Sequence, residues 1–465
     1  MCEKIKEACG VFGIYNSDNL NAVRETYMAL YALQHRGQQS CGIAVNHNGT
    51  IISHRDLGLV PDVFNEVVLN HLGHEPGIMA LGHVLYSRNK QVSRDEAQPI
   101  VLRYKKGNFS IAINGALVNS SSLRTELEEN GAIFQSGSDV EIIAHIISRE
   151  RLKTSSIDSA LSNTMKRLNG AYSIILMSPK KLIACRDPHG FRPLCIGLLD
   201  NSYVIASETC ALDSLGAKFV RDIEPGEIVA VEYGVLRSIK DNCTGDSHLC
   251  CFEFVYFARP DSVINNASVH FARQEAGKFL AKRYPVEADI VIGVPDSGLD
   301  AALGYSLESG IPYGIGYIKN RYIGRTFIQA TQGQREASVK IKLNALSHAV
   351  KGKRVVVVDD SIVRGTTTKL SINQLYESGA SEVHMRISSP PFINPCYFGT
   401  DIDSRDKLIA CRMSIDDIRK ELGAKTLGYL DIEDLKKIAV GCTSNFCLGC
   451  FTGKYPVDIS DIETV

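Results

Sequence analysis

The chain has 465 residues, enough for two or three domains with sizeable cores. Its 44% hydrophobic and 22% charged residues are ordinary for a globular protein, and a net charge of −1 gives no basic footprint for nucleic acid. No apolar run approaches the ~18 to 20 residues of a membrane span, and MCEKIKEA at the N-terminus is too polar and short for a secretory signal, so the cytoplasm is the expected compartment. Fourteen cysteines are many for such a chain. They lack the dense, even spacing of a disulfide framework, so some are expected to be buried small hydrophobes and others ligands or nucleophiles.

After a polar leader, residues 9–15 (CGVFGIY) alternate like a strand with Cys9 at its head. A helix is predicted over 22–33, followed by Gln34-His35-Arg36-Gly37-Gln38 and a short strand over 42–45. Further on stand Gly82-His83-Val84-Leu85-Tyr86-Ser87-Arg88, then Asn114-Gly115-Ala116-Leu117-Val118-Asn119, then Ser138-Asp139-Val140-Glu141. Strands over 171–177 and 182–186 flank Pro179-Lys180, and Pro225-Gly226-Glu227 fits a turn near the end of the first unit. Such strand-rich sequence with helices between is consistent with an α+β sandwich. Taken alone, Cys9 reads as a buried strand cysteine and Asn114-Gly115 as a hairpin turn.

In this order, the set CGVFGI, LQHRGQ, GHV, NGALVN and SDVE resembles the class II glutamine amidotransferases, whose glutaminase domain is an αββα sandwich with an N-terminal nucleophile. The resemblance implies that the Cys9 thiol attacks the glutamine side-chain amide with the protein's own α-amino group as base. That amine exists at Cys9 only if residues 1–8 are removed as a propeptide; Cys2 is the rival nucleophile, but no GVFG strand follows it. It also implies an oxyanion hole from Asn114 and the Gly115 N–H, and a carboxylate at Asp139 for the substrate α-amino group. Two departures stand out. The family's GHVRY carries Leu85 where an arginine pairs with the glutamine α-carboxylate, leaving Arg88 as the nearby substitute. The small residues usual after HRGQ are replaced by Gln39-Ser40-Cys41.

The polar stretch 238–246 is the candidate linker, and Cys250-Cys251-Phe252-Glu253 opens a second unit, with a helix over 272–283. Residues 288–298 (ADIVIGVPDSG) form a buried strand running into a tight loop. Residues 319–335 gather Lys319, Arg321, Arg325 and Arg335 around Gly324; a charge run of this kind is usually a solvated face. In 355–369 (VVVVDDSIVRGTTTK), four valines read as a strand buried on both faces, as in a parallel sheet. Asp359 and Asp360 stand at its end, able to contact sugar hydroxyls or hold a divalent cation. Gly365 and Thr366, Thr367 and Thr368 then offer N–H groups, hydroxyls and a positive dipole end to a phosphate. The helix should stop near Gly379, and strands alternate with helices to Ile387.

This second half resembles the type I phosphoribosyltransferases, and residues 355–369 match the phosphoribosyl pyrophosphate (PRPP) signature of the glutamine PRPP amidotransferases almost letter for letter. The implied fold is a Rossmann-like α/β domain with ligand at the carboxyl ends of the strands. Asp359 and Asp360 would bind the ribose hydroxyls with Mg2+, aided by Ser297, and Arg364 with residues 365–368 would hold the 5-phosphate. Arg321 and Arg325 would lie on a loop closing over PRPP. Cys447-Leu448-Gly449-Cys450 alone could serve zinc, redox chemistry or neither. With Cys250 and Cys396 it matches the four ligands of a structural [4Fe–4S] cluster in one branch of the family, although Cys251 and Cys442 lie close enough to be confused with ligands.

The resemblance therefore implies a propeptide over 1–8, a glutaminase domain over 9–240 and a phosphoribosyltransferase domain with its iron–sulfur segment over 247–465. Glutamine and PRPP would be the substrates, ammonia would pass internally to give 5-phosphoribosylamine for purine synthesis, and the family's homotetramers are inhibited by purine nucleotides. Two other readings share these motifs: an ammonia-dependent phosphoribosyltransferase with a decayed glutaminase half, and a PRPP-sensing regulator without catalysis. A transcriptional regulator would need a DNA-reading element, and no basic helix is free to supply one.

Overall fold

The computed structural model describes residues 9–18, 20–75, 77–86, 93–320, 343–402 and 404–463. The leader, Arg88, Arg321, Arg325 and Arg335 lie outside the described residues.

The first half is two antiparallel sheets stacked face to face. One has seven strands, in the spatial order Lys218–Asp222, Cys195–Leu199, Ser202–Ala206, Gly10–Tyr15, Met79–Leu85, Ser40–His47 and Thr50–Leu57. The other has six, from Val235–Ile239 through Ile228–Glu232, Lys181–Arg186, Gly170–Met177 and Gly107–Leu117 to Ile100–Tyr104. Alternation puts Val11, Leu81, Ile175, Leu182, Ile205 and Val229 between the sheets, all buried. The opposite faces are covered by helices. Ala22–Ala32 and Thr209–Leu215 lie on the first sheet, and Ser120–Glu129, Asp139–Lys153 and Ile157–Met165 on the second. This is the expected αββα sandwich. Asn114-Gly115 is not a hairpin turn but the inner part of the long strand Gly107–Leu117.

The second half holds a four-stranded parallel sheet in the order Ile290–Gly293, Arg354–Asp359, Glu382–Ile387, Thr426–Tyr429. Val355 to Val358 are at most 1% exposed, as a strand covered on both faces requires. At roughly 1.5–3 kcal/mol per buried valine, they anchor the sheet that carries Asp359. The predicted helices appear at Val269–Arg283 and Thr366–Glu377, and Gly379 follows the latter with φ +93°. The 238–246 stretch is less of a free linker than its polarity suggests. Val235–Ile239 pairs with Ile228–Glu232, Asn242 Nδ2 donates to the Ser162 carbonyl and hydroxyl, and Thr244 Oγ1 donates to the Pro188 carbonyl. No helix among the described residues is long and apolar enough to cross a membrane.

Candidate active sites

Cys9 heads the strand Gly10–Tyr15, which pairs with Met79–Leu85 so that Val11 stands opposite His83 and Gly10 opposite Val84. Its thiol is 6% exposed and contacts the Tyr86 carbonyl at 3.8 Å. Burial pushes the thiol's pKa up, and the Arg192 and Arg36 charges only partly offset this, so Cys9 needs a base to become a nucleophile. His83 reaches from the first sheet to the second, where Nε2 lies 3.0 Å from the Ile113 carbonyl. Gln98 Oε1 accepts from the N–H of the same residue at 2.8 Å. The pairing with Ile100–Tyr104 ends at Ile111, so these two side chains satisfy an edge that no strand covers. Gly115 is two residues on along the same strand. Its φ of +142° and its packing, where an added Cβ would lie 2.0 Å from the Ala171 carbonyl, allow only glycine. Asn114 is fully buried, and among the described residues neither Nδ2 nor Oδ1 has a partner. At the end of the strand, the Leu117 N–H donates to Asp139 Oδ2 at 2.8 Å, fixing the first residue of the helix Asp139–Lys153. Cys9 heads the strand that pairs with that of His83, and His83 reaches the strand that carries Asn114 and Gly115 and ends at the Leu117 N–H held by Asp139. Leu85 is 7% exposed at the end of its strand.

Behind Cys9 lies a network not foreseen from the sequence. Arg36 Nε donates to the Cys9 carbonyl at 3.1 Å, and its guanidinium binds Glu208 at 2.6 Å and Glu253 at 2.9 Å. Glu253 also pairs with Arg192 at 3.1 Å, while Glu208 takes His35 Nε2 at 2.7 Å. Arg36, Glu208 and Glu253 are completely buried. Burial alone would raise Glu208, but His35 and Arg36 hold its carboxyl far below the usual range. The HRGQ segment signalled Arg36; its partners stand 172 and 217 residues away, and nothing local marks them.

In the parallel sheet, Asp359 ends its strand and Asp360 follows, 6% and 1% exposed. The loop after Ile290–Gly293 lies against them: the Val294 N–H donates to the Val358 carbonyl at 2.9 Å, and the Ser297 hydroxyl donates to an Asp360 oxygen whose other oxygen receives Ser361. Lys319 pairs with Asp296 of the same loop. Gly365, at φ +87°, is the N-cap of Thr366–Glu377, so Thr366, Thr367 and Thr368 form its first turn, whose N–H groups have no intrahelical acceptor. Arg364 stands exposed just before it. The predicted phosphate-site residues therefore share one end of the sheet.

A third pocket lies between the halves, lined by Cys250, Cys396, Cys447 and Cys450 with Phe191, Phe252 and Tyr455 among its apolar walls. Residues Cys250 and Cys447 stand opposite each other where His248–Cys250 pairs in parallel with Asn445–Cys447. Neither Cys251 nor Cys442 lines it. Burial pushes the Cys250 thiol up to about 11 and raises the Cys447 and Cys450 thiols too.

The glutamine amidotransferase domain model matches residues 87–214, and the phosphoribosyl transferase domain model matches 266–388. The amidophosphoribosyltransferase of Methanocaldococcus jannaschii is 47% identical over 467 residues, covering 97% of this chain and 98% of the relative. That of Bacillus subtilis is 43% identical over 461 residues, covering 98% and 95%. A solved structure of the B. subtilis glutamine PRPP amidotransferase, complexed with ADP and GMP, superposes with a TM-score of 0.89 at 43% identity, covering 97% of this chain and 98% of that one. With two domain types in this order and such identity over nearly its whole length, the chain belongs to the amidophosphoribosyltransferases, enzymes that couple a glutamine amidotransferase domain to a phosphoribosyltransferase domain.

Proposed function

We propose that the chain catalyses its family's reaction, glutamine, PRPP and water giving 5-phosphoribosylamine, glutamate and pyrophosphate, with Cys9 as nucleophile of the first half and the Asp359–Thr368 segment as the PRPP cradle. The observation that carries the first assignment is the buried Asn114 amide, which has no hydrogen-bond partner among the described residues. A buried amide without hydrogen bonds is costly, by about 1–3 kcal/mol, unless a ligand supplies the partner. Once residues 1–8 are removed as a propeptide, the new α-amino group takes the thiol proton, and Sγ attacks the glutamine amide carbon. Asn114 Nδ2 and the Gly115 N–H receive the oxyanion, ammonia leaves, and water hydrolyses the thioester to glutamate. Asp139 holds the substrate amine, and Arg88 is the residue available to the α-carboxylate.

Ammonia passes inside the protein to C1 of the ribose and displaces pyrophosphate. Asp359 and Asp360 orient the ribose hydroxyls, the turn Arg364 to Thr368 holds the 5-phosphate, and Arg321 and Arg325 close over the diphosphate and exclude water. Asp359, Asp360 and the Ser297 hydroxyl are hard oxygen donors suited to Mg2+, which when bound would offset the charge of the leaving pyrophosphate. The thiols of Cys250, Cys396, Cys447 and Cys450 fit a structural [4Fe–4S] cluster. A single tetrahedral zinc at about 2.3 Å from each sulfur needs them roughly 3.8 Å apart. Among the described residues, however, the sets of three or more metal-ligating side chains gathered within 4.8 Å are His35–Glu208–Cys210 and His189–Asp246–His248. The same reading divides the chain at 9–240 and 247–465, places it in the cytoplasm as a homotetramer, and makes purine nucleotides its feedback inhibitors; the ADP and GMP bound to the B. subtilis relative support that last assignment.

Cys9→Ser tests the scheme. Glutamine-dependent pyrophosphate release should vanish while ammonia-dependent release persists, because the two half-sites are separate. Wild-type protein that uses only ammonia would replace this reading with the ammonia-dependent enzyme, and release with neither donor would leave a regulator. Intact mass showing residues 1–8 on fully active protein would sink the N-terminal-nucleophile mechanism.

A further inference from the structure

We infer that His189, Asp246 and His248 form a binding site for a first-row transition-metal dication of the zinc class, which fastens the connecting segment to the glutaminase half. One ligand atom from each residue lies within 4.8 Å of the other two. His248 Nε2 is already 2.9 Å from Asp246 Oδ1, and the two imidazole centroids are 5.7 Å apart. The donors are also held in place by backbone. The His248 N–H donates to the His189 carbonyl at 2.7 Å, and two residues on, the Cys250 N–H donates to the Phe191 carbonyl at 3.1 Å. This strand-like pairing sets the two histidines side by side. The turn bearing His189 is fixed in turn by Asp187, whose carboxylate accepts from the N–H groups of His189 and Phe191.

Two imidazoles and one carboxylate suit Zn2+, Co2+, Ni2+ or Cu2+ rather than Mg2+ or Ca2+, which prefer all-oxygen shells. Asp246 is exposed, so water can complete the shell. The other gathered set, His35–Glu208–Cys210, is different in kind. Both Glu208 oxygens there are occupied, by Arg36 and His35 on one side and by the Ser262 hydroxyl and Arg259 N–H on the other. Among the described residues, the ion-pair partner of Asp246 is the site's own His248. The site also lies apart from the thiol pocket in its donors, since it holds nitrogen and oxygen only.

Anaerobic titration of the cluster-loaded enzyme with Co2+ and Zn2+ tests the inference. One equivalent of Co2+ should bind with weak visible bands and no sulfur-to-cobalt charge transfer, and Zn2+ should displace it and raise the midpoint of heat denaturation. Asp246→Asn, an exposed change that leaves the backbone pairing alone, and His189→Gln should each weaken binding by more than about tenfold, or about 1.4 kcal/mol. Both should also abolish the zinc-induced shift. Absence of a nitrogen–oxygen cobalt site, a thiolate-type spectrum alone, or unchanged affinity in both variants would overturn it.

Discussion

His83 shows how one buried side chain can hold an uncovered strand edge in place. Its ring is fully buried, burial depresses its pKa to about 4, and its hydrogen bond to Ile113 crosses from the sheet that Cys9 heads into to the strand bearing Asn114 and Gly115. The sign of the pH effect follows. The unfolded chain takes up this proton near 6.5, the folded one only near 4, so stability is lost as pH falls through that window, by about 1.4 kcal/mol per unit. His83→Gln should flatten the wild-type dependence of unfolding free energy between pH 6 and 4, and an unchanged slope would refute this. It should lower glutamine-dependent kcat while sparing ammonia-dependent turnover, because the altered edge belongs to the first half-site. Leu85 concerns binding instead. If an arginine there pairs with the substrate carboxylate, its absence forfeits a charge-assisted hydrogen bond of roughly 1.5–3 kcal/mol, or about 10- to 150-fold in affinity. The KM for glutamine should be high beside an ordinary one for PRPP, and Leu85→Arg should lower it. Saturation of wild type at low glutamine, with Arg88→Ala unchanged, would mean that other residues hold the carboxylate.

At the scale of elements, what was legible in the sequence was what is local. The predicted strands over 171–177 and 182–186 appear as Gly170–Met177 and Lys181–Arg186, and the predicted helix over 22–33 as Ala22–Ala32, because apolar period and end signals act over a few residues. The four valines and GTTT likewise specify their own strand and helix start. Asn114-Gly115 misleads when read locally, since its glycine serves a close approach to Ala171 inside a strand rather than a turn. His83–Ile113 and Arg36–Glu253 were illegible, because no local pattern encodes a partner across sheets or halves. The strand pair His248–Cys250 with Asn445–Cys447 is a mixed case: CLGC is visible, but three residues on each side make too small an element to stand alone. A group bound to the facing thiols would supply the missing stability, as metal–thiolate sites contribute folding free energy directly. Cys447→Ala should therefore yield little soluble protein and no brown chromophore. Stoichiometric zinc without iron in the wild type would reassign the site, and normal folding of a Cys447→Ala, Cys450→Ala double variant would remove its structural role.

For the whole molecule, the decisive feature is that the two halves share one buried set of charges. Arg36 and Arg192 come from the sandwich, Glu253 from the segment that opens the second half, and Arg192 also donates to the Phe398 carbonyl and Thr400 hydroxyl beside Cys396. A buried ion pair of this kind is weak evidence of net stability against an apolar alternative, yet removing one partner costs roughly 3–5 kcal/mol because the others are left charged and dry. Glu253→Gln would keep the side chain's shape, leave the Arg192 guanidinium without its carboxylate and leave Arg36 with Glu208 alone. The glutaminase half should suffer first, since Arg36 is also the donor that holds the Cys9 carbonyl. Wild type should lose glutamine-dependent and ammonia-dependent activity together on heating. In Glu253→Gln the glutamine-dependent midpoint should fall by several degrees and separate from the other, and calorimetry should resolve two transitions where wild type shows one. Acid should act in the same direction, because Glu208 is held ionised far below its usual range. The stability it provides is complete above pH ~4.5 and drains away as pH falls toward its folded value. Parallel inactivation of both activities in Glu253→Gln, at the wild-type midpoint, would show that the charges shared at Glu253 do not couple the two halves.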